Sequence, residues 1–332
     1  MKKVLLLILV LVLGAPARAS VLDALEACRT ETGLLPDAPD GGYSSKILAA
    51  EMKLRLLLDD RKSFDKLYRL MVKYFQSPML LLYCRLDASL KPVAYENNIA
   101  VELQVCRVLL EAFQRWQVPE YHRCAIKKAG RLLRYNVYRN VLINSAQWKE
   151  RPSGIYSIYE PSHVLDLCSV DVLALQLLKN EMPHRWESVA QRCLGILLAG
   201  SGTFEMQRCY DVDKLSYVYK NDSLAALRIM ENLVDGGLVP RYSMERLAAR
   251  LQENPRFLAD EETGSLEASS IGGYVLSQAG YSAEARQVFA ALEETYGTGE
   301  EGLLCAPGKT PSIFENLVYL TEKAKLAPQR LK

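Results

Sequence analysis

The chain has 332 residues, with 41 Lys and Arg against 39 Asp and Glu and a formal charge of +2. A near-neutral charge without a long basic block argues against nucleic acid as a partner. Hydrophobic residues make up 49%, enough for a packed core, and the length allows two ordinary domains or one large closed architecture.

Met1-Lys2-Lys3 is a short basic start, and Val4 to Leu13 is an unbroken apolar run. That run is shorter than the roughly 20 residues a membrane span needs. Ala17-Arg18-Ala19 supplies a small-x-small cleavage pattern before Ser20. Residues 1–19 therefore read as a cleaved signal peptide and 20–332 as one exported domain, periplasmic or extracellular, with no membrane attachment after cleavage.

Apolar residues then recur at three- and four-residue spacing, the helical signature. Val21 to Cys28 starts a first helix; Ile47, Ala50, Leu54, Leu57 and Leu58 mark a second; Phe64, Leu67, Leu70, Met71 and Tyr74 mark a third. Met79 to Leu86 reads as a short strand or extended bridge. Ala100, Leu103, Cys106, Leu109, Leu110 and Phe113 mark a strong fourth helix, and Ala125 to Tyr135 a fifth. Arg139 to Glu160 is the longest irregular stretch, and such loops are usually functional or mobile. Val164 to Leu178 reads as a sixth helix opened by Pro161-Ser162, and Trp186 to Leu198 as a seventh. Later helices centre on Leu215–Tyr219, Ala225–Leu233, Met244–Leu251, Leu266–Leu276, Ala283–Leu292 and Ile313–Leu320.

About a dozen helices with at most one or two short strands make an all-α fold. Two architectures suit it: an open solenoid of helix pairs, or the (α/α)6 barrel, a closed ring of six hairpins. No fixed repeat period runs through the chain, and unequal pairs with long inserted loops favour the barrel.

The eight cysteines form no CxxC pair and match no zinc spacing. Export permits disulfides, but Cys106, Cys168 and Cys193 lie in apolar helical patterns and read as buried small hydrophobes. His122, His163 and His184 lack metal-ligand spacing, and no Gly-rich phosphate loop follows a strand. No metal and no cofactor is expected.

Three stretches, in chain order, resemble family 8 glycoside hydrolases. Tyr43-Ser44-Ser45-Lys46, followed by Asp60-Arg61 and Phe64-Asp65, resembles that family's Ser-Glu-Gly helix and Asp-Arg-x-x-Phe-Asp run. On that register the position of the catalytic acid holds Lys46. Leu81 to Asp87, with Tyr95 to Val105, resembles the family's apolar-Trp-Arg strand and Asp-rich helix start. Glu102 falls on the middle Asp, while Ala100 and Gln104 replace its neighbours. Tyr210-Asp211-Val212-Asp213 is similar to the Tyr-Asp-Ala segment that carries the family's base.

The resemblance implies an (α/α)6 barrel that acts on or binds a β-1,4-linked polysaccharide, beside exopolysaccharide machinery. Inverting hydrolysis needs a protonated acid and a carboxylate that activates water, about 6.5–9.5 Å apart. By resemblance, Asp211 or Asp213 would activate water and Glu102 would hold the distorted sugar. Read from the pattern alone, Glu102 is solvent-facing and the two aspartates are helix N-caps.

Lys46 fits the scheme poorly. An ammonium with an ordinary pKa of about 10.4 is a weak proton donor, and its charge opposes an oxocarbenium-like transition state. It reads either as a surface cation at a helix start or as a contact for an anionic sugar such as a uronate. Tyr43, Trp148, Tyr156, Tyr159 and Tyr210 lie in or beside loops and are candidates for stacking on sugar rings. Three function classes follow: a glycosidase whose acid comes from elsewhere, a polysaccharide-binding pseudoenzyme, or a helical-repeat scaffold for protein partners.

Overall fold

The computed structural model describes residues 20–37, 41–150, 156–159, 163–201, 206–220, 223–253, 265–298, 302–305 and 310–326. The leader assigned to residues 1–19 lies outside the described residues. Among those described, no helix is long and apolar enough to cross a membrane.

The described α-helices are α1 (Val21–Ala27), α2 (Ser45–Leu57), α3 (Arg61–Leu70), α4 (Ile99–Trp116), α5 (Pro119–Tyr135) and α6 (Val172–Glu181). They continue with α7 (Pro183–Ser201), α8 (Ser223–Asp235), α9 (Arg241–Glu253), α10 (Leu266–Gln278), α11 (Ser282–Thr295) and α12 (Ile313–Leu326). The even-numbered helices form an inner ring in which each packs on the next and α12 closes onto α2. Outside it, α3, α5, α7 and α11 pack on α2, α4, α6 and α10, and α1 lies against α12. The α12–α2 contact decides between the two architectures: the chain is an (α/α)6 barrel.

Inner and outer helices differ as their burial requires. On α4 the side chains of Leu103, Val105, Cys106, Val108, Leu109 and Leu110 are all buried, because an inner helix touches protein on every side. On α5 only one face is buried: Tyr121, Ala125, Lys128, Ala129 and Leu132, at three- and four-residue spacing. Caps fix where the inner helices begin. Asn98 accepts from the amides of Ala100 and Val101 at 2.9 and 3.3 Å, Asp171 from Ala174 at 2.9 Å, and Ser265 from Ala268 at 3.0 Å. Pro119 opens α5, where its missing N–H costs nothing.

Short strands decorate one end of the ring. β1 (Tyr43–Ser44) pairs with β2 (Arg85–Leu86), and β3 (Val137–Tyr138) with β4 (Val141–Leu142). β5 (Gln147–Glu150) pairs with β6 (Tyr156–Tyr159), while β7 (Val164–Asp166), β8 (Gln207–Asp211) and β9 (Ser216–Lys220) form an antiparallel sheet in that order. β10 (Gly297–Thr298) pairs with β11 (Leu304–Cys305).

Three sequence expectations change here. The sixth helix does not begin at Val164: residues 164–166 pair with β8, and the helix starts after Asp171 supplies its cap. No helix covers Leu215–Tyr219. Leu215 takes a φ of 53° that closes the β8–β9 turn, and Ser216 to Lys220, rich in aromatic and β-branched residues, continues as a strand. The stretch from 139 to 160 is not irregular throughout, since β4, β5 and β6 lie in it. Cys84, Cys106, Cys124, Cys168, Cys193, Cys209 and Cys305 are free thiols.

Gly236 follows α8 at its seam with α6. A Cβ added there would lie 2.3 Å from Val172 Cγ1. Gly236→Ala should therefore cost about 1–3 kcal/mol by overpacking, read as a lower urea midpoint. An unchanged midpoint would show that this seam has slack.

Candidate functional site

The N-terminal ends of α2, α4, α6 and α12 surround a cavity of about 280 Å³. Lys46 and Lys53 reach it from α2; Asn98, Ala100, Gln104 and Arg107 from α4 and its cap; Phe314, Thr321 and Glu322 from α12. Arg228 and Glu231 of α8 form another wall, and Asp166, Cys168 and Asp171 enter from the link between β7 and α6.

The cavity floor is a layer of buried charge. Lys325 Nζ lies 2.9 Å from Glu231 Oε1, 3.4 Å from Asp235 Oδ1 and 2.9 Å from Glu322 Oε2. Lys53 Nζ is 3.3 Å from Glu231, and Arg107 Nη1 is 2.7 Å from Asp235 and 3.4 Å from Asp171. The Tyr274 hydroxyl donates to Asp235 at 2.8 Å. Burial pushes the Glu231 and Asp235 carboxyls up, but Lys325 and Lys53, with further help from arginines, outweigh it and hold both well below the usual carboxylate range. Lys325 stays charged for the converse reason.

Glu322 behaves differently. Its Oε2 has no hydrogen-bond geometry to any partner, although Lys325 lies at ion-pairing distance. Burial raises its pKa to about 7, against the opposing field of Lys325. Its carboxyl therefore shares the cavity with carboxylates that stay ionised.

Lys46 stands on the first turn of α2 at the cavity mouth. Its ammonium lies 3.5 Å above the centroid of the Phe314 ring and makes no ion pair among the described residues. The side chain is open to solvent yet crowded on several sides, as expected at the rim of a concavity. Burial lowers its pKa, opposed by Glu267 and assisted by Arg228. Arg228 itself is ion-paired to Glu267.

The other sequence candidates lie elsewhere. Glu102 is fully buried on the far face of α4 from Gln104, two residues and about 200° round the helix. Its Oε1 accepts from the Leu82 amide at 2.6 Å, and its Oε2 from Lys128 Nζ at 2.9 Å. The solvent-facing alternative for Glu102 fails because that face carries α5 and the Leu80–Leu82 loop. The flanking positions, Ala100 and Gln104, are the ones that line the cavity. Asp211 sits in the β8–β9 turn, accepting from the amides of Asp213 and Lys214 at 3.0 Å each and from Lys214 Nζ at 2.8 Å. Asp213 pairs with His163 Nδ1 at 2.8 Å. Neither aspartate lines the cavity, and neither caps a helix.

The aromatic candidates do not form a platform there. Tyr43 is buried, its hydroxyl donating to Thr30 Oγ1 at 3.2 Å. Trp148 is buried against Tyr83, with centroids 5.7 Å apart, and Tyr210 packs edge-on to Tyr217. The backbones of Tyr156 and Tyr159 belong to β6, and their side chains lie outside the described residues. Of the aromatic residues, Phe314 lines the cavity.

No family model matches the chain, and no curated protein matches it. Solved structures do. An alpha-amylase from Clostridium perfringens, described as novel, has a TM-score of 0.80 at 16% identity, over 92% of this chain and 96% of that one. PssZ from Listeria monocytogenes has a TM-score of 0.70 at 14% identity, over 94% and 96%. Endoglucanase Cel10 from Klebsiella pneumoniae, a family 8 glycosyl hydrolase, has a TM-score of 0.65 at 14% identity, over 93% and 99%. The chain has the family 8 glycosyl hydrolase fold. At these identities the likeness is one of fold, and the side chains of this barrel have to be read on their own terms.

Most of the cavity residues escaped the sequence reading. Arg107, Glu231 and Lys53 were visible only as charges inside otherwise apolar helical runs, such as Val105-Cys106-Arg107-Val108 and Ile229-Met230-Glu231-Asn232-Leu233. That pattern marks a charge facing a closed interior, but it names no partner. Cys168, although in the cavity, is held in the thiol form: burial and the nearby Asp166 push it up to about 12.

Two predictions follow from these contacts. Glu102→Ala strands the buried Lys128 ammonium and should destabilise the protein by about 3–5 kcal/mol, measured by urea unfolding. Glu322 binds its proton more tightly when folded, because its pKa rises from 4.5 to about 7. Its contribution to stability is therefore complete below about pH 4.5 and falls away as pH rises to about 7. Glu322→Gln should flatten stability over that window by about 1–3 kcal/mol, visible as a smaller drop in unfolding midpoint between acid and neutral pH.

Proposed function

We propose that the chain is exported and binds a segment of β-1,4-linked glycan in the cavity at the mouth of the inner ring, without cleaving it by the two-carboxylate route. Lys46 carries this reading. It is a cation on the first turn of an inner helix, at the mouth of the cavity, where the resemblance places the proton donor. An ammonium is a poor proton donor to a glycosidic oxygen, and its charge opposes the oxocarbenium-like transition state.

The cavity supplies no substitute pair. Glu322 carries a proton near neutrality, but the adjacent Glu231 is tied to Lys53 and Lys325. A carboxylate neutralised by two lysines is a poor base. Asp211 and Asp213 spend their carboxylates on a turn, a lysine and a histidine. Endoglucanases and a xylanase among the proteins of this fold support a glycan as the ligand.

The test pairs binding with turnover. Purified protein is titrated calorimetrically with cello- and xylo-oligosaccharides, and the same mixtures are assayed for new reducing ends. Saturable binding with no reducing-end release is expected. Sustained release by the wild-type chain would overturn the non-hydrolytic assignment, and no binding to any glycan would overturn the reading altogether.

A further inference from the structure

We infer that the saccharide held in this cavity is anionic, a uronate-bearing oligosaccharide whose carboxylate pairs with Lys46. The inference rests on the glycan-binding reading above and names the ligand chemistry that the site selects.

The charge balance of the cavity decides the sign. Every carboxylate that lines it already has a partner. Asp166 accepts from the Cys168 amide at 3.2 Å and lies 3.6 Å from Arg208. Asp171 accepts from the Ala174 amide and faces Arg107. Glu231 holds Lys53 and Lys325, and Glu322 faces Lys325. Of the cations, Lys53, Arg107 and Arg228 are paired too. Among the described residues Lys46 is the lining cation left without an ion pair.

Its placement on the helix adds to the positive charge it presents to the cavity. Lys46 lies at the N-terminal turn of α2, where the helix dipole already presents partial positive charge and disfavours a cation. α4, α6 and α12 begin around the same cavity and add to the positive potential. The Phe314 ring holds the ammonium at 3.5 Å by a cation–π contact, which fixes its position without neutralising it. An entering carboxylate would relieve both the dipole repulsion and the unpaired charge. Gln104 and Ser169 supply neutral groups for sugar hydroxyls beside it.

Calorimetry on the whole protein tests this with a β-1,4-linked glucuronate oligosaccharide and cellotetraose of equal length, at low and near-physiological salt. The acidic ligand should bind about tenfold tighter, the usual order for a hydrogen bond to a charged group, and added salt should narrow the gap. Lys46→Gln should abolish the preference, and Lys46→Arg, which keeps the positive charge, should retain it. Equal or weaker binding of the acidic ligand by the wild-type chain, or a preference that survives Lys46→Gln, overturns the inference. Cellotetraose binding without an acidic preference overturns it and leaves the glycan-binding reading intact. Binding of neither overturns both.

Discussion

All six inner helices meet the barrel axis through one layer of charge. α2 contributes Lys53, α4 Arg107, α8 Glu231 and Asp235, α12 Lys325, α10 the Tyr274 hydroxyl, and α6 its capping Asp171. Ions removed from water carry a large desolvation cost, which close and mutual pairing offsets. Here each acid meets at least one base at ion-pairing distance. The geometry of the layer is therefore tied to the geometry of the ring, and a displaced inner helix would leave a buried charge behind.

That layer also shapes the candidate site. It closes the bore of the barrel, so the space above it is a bowl with a polar floor. The pairing within the floor is nearly complete, which removes its carboxylates from easy use as bases. What remains unmatched lies higher, at the mouth, where Lys46 rests on Phe314. The side chains that line this bowl are mainly charged and hydrogen-bonding ones. Sugar stacking would need open aromatic faces, and Trp148, Tyr43 and Tyr210 are turned into packing instead.

Glu102 lies in the first turn of a helix that the apolar spacing predicts, yet its side chain faces away from the cavity. Apolar residues surround it in the chain, so nothing in the linear pattern tells the cavity face from the face toward α5. Only the packing of α5 and the Leu80–Leu82 loop decides that its partners are Lys128 and the Leu82 amide. The same limit applies to β7 and β9. Short segments with mixed periodicity take their form from the strand they meet, and β8 supplies that strand for both.

The amino-acid sequence by itself determined the helical content, the approximate ends of the longer helices and the cation at position 46, because these depend on periodicity, local caps and identity. It also carried the preference for a closed ring over a solenoid, through unequal helix pairs without a repeat. Tertiary structure alone decided that α12 returns to α2, that charges as far apart in the chain as Lys53 and Lys325 share one buried layer, and which face of α4 looks into the bowl. Those outcomes depend on contacts between residues far apart in the chain, and no local pattern encodes the partner of a buried charge.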